Sequence, residues 1–169
     1  PLAAVREQAV GQPDRVGVRR WTIVGDDYVW PHVSARAARV YAPALGGQIC
    51  AEAYVRLGSE NFDDVLRDIE RVRPDGVLML LVGQDAVLFN RAFAERGLDE
   101  QIVRLSPLMD ENMLLATGSA GTAGLYAAAG YFEALATDSS RQFLSEYTRQ
   151  YGPTGPVANS MGESCYEGV

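Results

Sequence analysis

Trp21-Thr22-Ile23-Val24-Gly25-Asp26-Asp27-Tyr28-Val29-Trp30-Pro31 is the stretch from which the rest of the chain can be read. Trp21 to Val24 reads as a buried strand, and Gly25-Asp26-Asp27 as the turn that ends it. Pro31 suits the first turn of a helix, where its missing N–H would be unpaired anyway. Strand, tight turn and helix make the opening βα step of a parallel sheet. In open parallel sheets the loops at the carboxyl ends of the strands line the crevice where ligands bind. Tyr28 and Trp30 would offer flat, stiff surfaces with polar tips there, suited to clamping something small. The same two rings are equally compatible with capping a core.

Working outward, the first strand is expected over Val18 to Val24, preceded by a short helix over Pro1 to Val10. Helical spacing of Val33, Ala37, Val40, Tyr41 and Ala44 predicts a helix over Pro31 to Leu45, stopped by Gly46-Gly47. Gln48 to Val55 is the second strand. Asn61 is the expected cap of a helix whose apolar stripe is Phe62, Val65, Leu66, Ile69 and Val72. Pro74-Asp75-Gly76 turns the chain into Val77 to Val82, six apolar residues without alternation, which indicates a strand covered on both faces. Asp85 is the expected cap of the helix carrying Leu88, Phe89, Ala92 and Phe93, which ends at Gly97. Ile102 to Leu105 is a fourth strand and Leu125 to Tyr131 a fifth, followed by helices over Asp138 to Tyr151 and from Val157 onward. The fold class is therefore α/β, a doubly wound, mostly parallel five-stranded sheet flanked by helices.

The bulk properties narrow the function classes. The chain has 169 residues, a net charge of −7 and no basic run, so phosphate-tracking nucleic-acid binding is not expected. All 15 cations are Arg, which removes any chemistry that needs a lysine. Cys50, in an apolar run, reads as a small buried residue, and a disulfide to Cys165 is left open. No apolar run reaches the ~18 residues of a membrane span. The chain starts at Pro1 without an initiator Met and reads as a piece of a longer protein, which leaves its compartment open.

Constellations that would carry catalysis are missing. Gly118, Gly121 and Gly124 follow a helix rather than opening one after a strand, so they lack phosphate-cradling geometry and read as a loop entering the fifth strand. His32 is the only histidine and has no nucleophile beside it. Asp26-Asp27 is similar to the acidic pocket of phosphoacceptor domains, but those use a lysine that is absent here. The two carboxylates read instead as a turn-forming and N-capping pair, with Asp27 toward the crevice. No third ligand stands near them for a metal. The expectation is a non-enzyme with no cofactor and no metal; a small α/β enzyme or phosphoacceptor built on Asp26, Asp27 and His32 is the contrasting hypothesis.

Gly25-Asp26-Asp27-Tyr28-Val29-Trp30-Pro31 resembles the G-S-D-Y-hydrophobic-aromatic-P segment of the amide- and urea-binding branch of type I periplasmic binding proteins. That branch includes ABC-transporter components for urea, short amides and branched-chain amino acids, and an amide-sensing regulator. Pro1-Leu2-Ala3-Ala4, Leu45-Gly46-Gly47, Arg73-Pro74-Asp75-Gly76-Val77, Gly130-Tyr131-Phe132 and the run from Ser140 through Tyr151-Gly152 are similar to family positions in the same order. The resemblance implies one jaw of a two-lobed clamshell: residues 1–132 as the second lobe, 133–137 as a hinge crossover, and 138–169 as helices returning toward the first lobe.

The resemblance further implies a small-molecule ligand held by Asp27, Tyr28, Trp30, Gln84, Asp85, Ser106, Leu108 and Met109. Binders of free amino acids tend to carry a carboxylate in the loop after the fourth strand. Here Ser106-Pro107-Leu108-Met109 is apolar, with Asp110 and Glu111 slightly later, which favours a neutral amide-like solute. The implied partner is an ABC permease, with an extracytoplasmic location, or in the alternative a regulatory partner of a cytoplasmic sensor. An isolated lobe is also expected to bind weakly and to self-associate through its uncovered apolar surface.

Overall fold

Five strands stand in the order β2-β1-β3-β4-β5, every neighbouring pair parallel. They are β1 (Arg20–Asp26), β2 (Gln48–Val55), β3 (Gly76–Leu80), β4 (Val103–Ser106) and β5 (Leu125–Ala127). The computed structural model describes residues 17–152 and 154–168, and the helix expected over Pro1 to Val10 lies outside them. The helices are α1 (Val29–Ala44), α2 (Asp63–Val72), α3 (Gly83–Glu95), α4 (Glu111–Thr117), α5 (Asp138–Tyr151) and α6 (Ser160–Glu167).

Hydrophobicity explains the layering. β1 has partners on both sides, and Thr22 to Asp26 are all buried. One face of the sheet carries the larger core, where Val24, Val77 and Met79 meet Leu66 and Ile69 of α2 and Phe89 and Phe93 of α3. The other face is thinner: Ile23, Leu80 and Ala35 of α1, with Trp30, Ile49 and Leu78 partly buried around them. A third cluster lies around Tyr131, Phe143 of α5 and Ala158, joined by Leu144 and Tyr147. Tyr131, Tyr147 and Tyr166 of α6 thus gather on Phe143 through edge-to-face and tilted aromatic contacts.

Two glycines make close approaches possible. A Cβ on Gly25 would stand 2.9 Å from the Pro31 Cβ and 3.3 Å from the Leu80 Cβ, so α1 can begin directly above the strand end only because Gly25 has none. A Cβ on Gly76 would stand 2.7 Å from the Trp21 ring, which lies flat over the start of β3. The Asp75 carboxylate, one residue earlier, accepts the N–H groups of Arg19 and Arg20 at 2.9 and 2.8 Å and so sets where β1 starts.

Several expectations need correction. β1 runs two residues further than expected at its carboxyl end, because Asp26 still pairs with Val55. β5 stops at Ala127 rather than Tyr131; Tyr131 leaves the sheet to pack on Phe143. Cys50 is exposed, because β2 is the edge strand, and both cysteines are free thiols. Neither Asp26 nor Asp27 caps α1, whose N-cap is Tyr28 with no side-chain hydrogen bond. Asp85 does not cap α3, whose N-cap is Val82, but lies buried inside its first turn. Phe62 is the N-cap of α2, while the Asn61 side chain accepts the Asp63 N–H at 2.7 Å. The Gly118–Gly124 stretch does enter β5, and the buried guanidinium of Arg104 binds it by donating to the carbonyls of Gly121 and Ala123.

Candidate functional site

The chain leaves β1 to one side, toward β2, and returns to the other, toward β3. The carboxyl ends of β1 and β3 are therefore the topological switch point of this sheet, where the loops diverge and leave a crevice. Four loops surround it: Asp27-Tyr28 after β1, residues 56–62 after β2, Leu81-Val82 after β3, and residues 107–110 after β4.

At the β1 end, the Asp27 N–H donates to the Val55 carbonyl at 2.7 Å and carries the ladder one residue past the strand. Its carboxylate is exposed and meets His32 Nε2 at 2.7 Å. Tyr28 is partly exposed and its ring centre lies 6.3 Å from that of Trp30, the planes inclined by 31°. Burial and the neighbouring negative charge of Asp26 push the Tyr28 hydroxyl above its ordinary value, so it remains a donor. Trp30 is half-buried against Ile23, Ala35 and Leu80. The two readings of the aromatic pair therefore divide between the residues: Trp30 joins the core while Tyr28 faces out.

The helix termini add a second feature. α4, α5 and α6 begin with side-chain caps, from Asp110, Thr137 and Asn159. α1 and α3, which flank the switch point, have none. Pro31 has no N–H and the Asp85 N–H donates to the Val82 carbonyl at 3.1 Å, which leaves Val29, Trp30, Gly83 and Gln84 to supply N–H groups at the positive dipole ends of these two helices. Gln84 is exposed in the first turn of α3. Leu108 is half-buried after β4, where its N–H donates to the buried Ser106 Oγ at 3.3 Å. Met109 is buried in the larger core, and Asp85 is buried with its carboxylate accepting the Gly58 N–H at 2.7 Å.

Asp26 was not among the anticipated contact residues, yet it sits at the centre of this edge. It is fully buried, and its Oδ2 accepts the Val82 N–H across the switch point at 2.8 Å. Burial pushes its carboxyl up to about 7; the Val82 N–H works against this and Asp85 adds to it. The local sequence reads it as a turn residue; its burial follows once β1 is flanked by β2 and β3.

Next to this edge, on the outer strand, Arg39 clamps Glu52 through two nitrogens, and Tyr54 donates its hydroxyl to Glu52 at 2.9 Å. The Arg39 guanidinium holds Glu52 below its usual value, while burial and Glu52 push Tyr54 up to about 12. The His32 ring stacks on Tyr54 with centres 4.0 Å apart. An open depression of about 560 Å³ beside it is lined by Tyr54, Arg56, Asn61 and Arg67. It lies to the side of the switch point. Among the described residues no group of three or more His, Cys, Asp or Glu is placed to hold a metal ion, and no helix is long and apolar enough to cross a membrane.

The model of the periplasmic binding protein family matches residues 3–169. Among solved structures, an ABC transporter substrate-binding protein from Sphaerobacter thermophilus is 25% identical, with a TM-score of 0.83 over 99% of this chain and 44% of that one. A putative branched-chain amino acid ABC transporter from Rhodospirillum rubrum is also 25% identical, with a TM-score of 0.74 over 92% of this chain and 43% of that one. A solute binding protein of an ABC transporter from Rhodopseudomonas palustris BisB5, solved in complex with 3,4-dihydroxy benzoic acid, is 25% identical with a TM-score of 0.65, covering 89% and 41%. The chain spans less than half the length of each of these three proteins. No curated protein matches the chain.

Proposed function

Since the chain belongs to the periplasmic binding protein family, we propose that it supplies the second lobe of a solute-binding protein that captures a small polar solute for ABC-transporter uptake. Residues 1–132 form that lobe, 133–137 the hinge crossover, and 138–169 helices returning toward the other lobe. The helices after the crossover gather in their own cluster around Phe143 and Ala158, which reaches back to Tyr131 of the lobe. The match to the periplasmic binding protein family supports an extracytoplasmic location for such a protein. Its partner is then a permease that reads the closed form, reached by hinge closure of two rigid lobes. Its role is capture and release rather than turnover.

The observation that carries the reading is the switch-point edge itself. An outward-facing tyrosine and two uncapped helix N-termini converge there, while the carboxylates are buried or paired with His32. Asp27, Tyr28, Trp30, Gln84 and Leu108 are the surfaces offered to solute, and Asp85, Ser106 and Met109 hold the loops from beneath. Uncapped N–H groups suit a carbonyl oxygen, and Asp27 and Gln84 suit amide N–H groups, so a neutral amide or urea fits best, with branched-chain amino acids next.

The test uses the protein with both lobes. Thermal stability is measured against urea, acetamide, leucine and benzoate, since binding to the native state raises its apparent stability. We expect a rise with acetamide or urea that Tyr28→Ala abolishes and Trp30→Ala reduces. A rise with benzoate alone would replace the amide class by aromatic acids, and no rise with any probe would overturn the solute class.

A further inference from the structure

Two carboxyl groups at the switch point are buried without a cation. Asp26, on β1, is fully buried; Asp85, in the first turn of α3, is 3% exposed. One oxygen of each is engaged by a backbone N–H: Asp26 Oδ2 by Val82, Asp85 Oδ2 by Gly58. The other oxygen of Asp26, Oδ1, is buried with no hydrogen-bond partner among the described residues. Asp85 faces Asp26 closely enough to be its hydrogen-bond partner once one of the two carries a proton. Through those two amides the pair ties the end of β1 to the loop after β3 and, by way of Asp85, to the loop after β2.

We propose that Asp26 and Asp85 hold one proton between them and act as positioning residues, so that the arrangement of the loops around the switch point depends on pH. With the proton present, Asp26 Oδ1–H donates to Asp85, the orphaned oxygen is satisfied, and both backbone bonds are kept. With the proton lost, two buried like charges face each other and repel. The relief lies in moving Asp85, and with it the start of α3 or the Gly58 turn. The groups around Asp26 leave it without compensation. Among the described residues Asp85 faces it from α3, the Tyr28 hydroxyl at the start of α1 feels its charge, and the loop after β3 supplies the Val82 N–H. Asp27, next in sequence, is turned to His32 in solvent. Among the described residues no arginine compensates its charge. Burial and Asp85 together raise its carboxyl to about 7, which places the loss of the proton near neutral pH.

The effect on solute capture rests on the function proposed above, so the test has two separable arms. In the first, the backbone amide resonances of Val82 and Gly58 are followed through a pH titration of this chain, with no solute present. We expect both to shift with one common midpoint near neutrality. In Asp26→Asn, whose amide oxygen still accepts from Val82 and whose NH₂ donates to Asp85, both should be flat. In Asp85→Asn the like charge is gone while the burial remains, and the midpoint should move to lower pH. Amides that do not shift near neutrality, or that shift as much in Asp26→Asn, overturn the proposal. In the second arm, acetamide and leucine affinity of the two-lobed protein is measured on both sides of the midpoint. A several-fold weakening at the higher pH, absent in Asp26→Asn, carries the pair through to capture. Affinity that ignores pH while the amides titrate overturns that extension alone. Absence of binding by every probe counts against the proposed solute class, and the amides still decide the pair.

Discussion

Asp75 and Asp26 are carboxylates that the fold treats in opposite ways. Asp75 accepts two backbone N–H groups at the start of β1, which hold its carboxyl below the ordinary 3.8. A lowered value means stability that is present above the ordinary carboxylate range and is lost as pH falls through the folded value. Asp75→Ala should lower unfolding stability at neutral pH by about 1–2 kcal/mol, kept modest because the site is half exposed to water. Denaturant unfolding checks this, and the gap to the parent protein should narrow in acid. Asp26 is raised, from 3.8 to about 7, so the native state binds more protons than the unfolded chain between those values. Stability from this group therefore falls as pH rises across that window and levels off above it. Arg104 is a third case: a fully buried guanidinium held by carbonyls and by Asn90, lying 4.7 Å from the centre of the Phe93 ring. Burial lowers its value to about 10, which leaves it charged at neutral pH.

At the scale of elements, α2 shows what local chemistry decides. Its apolar stripe at Val65, Leu66 and Ile69 is buried as its spacing requires, and Asp63 and Asp64 fall in the first turn. It ends at Arg73 with φ of 48°, the one left-handed non-glycine among the described residues. A glycine carries no Cβ penalty there, so Arg73→Gly should raise stability by roughly 0.5–1 kcal/mol, read as a higher thermal midpoint. Elements with strong periodicity were legible in the sequence: β2 and α5 match their expected bounds, and β3 is covered on both faces as its unbroken apolar run implies. The ends of β1 and β5 were not. Whether Asp26 stays in the ladder or Tyr131 leaves it is decided by Val55 and Phe143, residues distant in sequence. The same holds for the site. The aromatic pair and the loops could be read from order alone, but Asp26 and Asp85 looked like turn and cap residues, since their burial follows from the way β1 and β3 become neighbours.

Across the whole molecule, the candidate surface is one wall. Its polar groups open to solvent, and the depression beside it is open as well. Pockets that hold small molecules bury most of the ligand surface. This chain alone should therefore bind acetamide, urea or leucine at least tenfold more weakly than the two-lobed protein. Titration calorimetry on both forms checks this; equal affinity would mean that the second wall is not needed. The charge of −7 adds a general point: an acidic chain disfavours anionic partners, and that long-range repulsion weakens as salt is added.

The strand order also has a kinetic consequence. β1 is an interior strand, yet it is made before both of its neighbours. As the chain leaves the ribosome, β1 can pair with β2 once residue 55 has emerged, but its other edge waits for residues 76–80. During that interval an apolar strand edge lies bare, which is the condition under which parallel sheets fold slowly and associate wrongly. Refolding of this domain should accordingly be limited by docking β3 onto β1, and substitutions along Val77 to Leu80 should slow folding more than equally destabilising ones in α5.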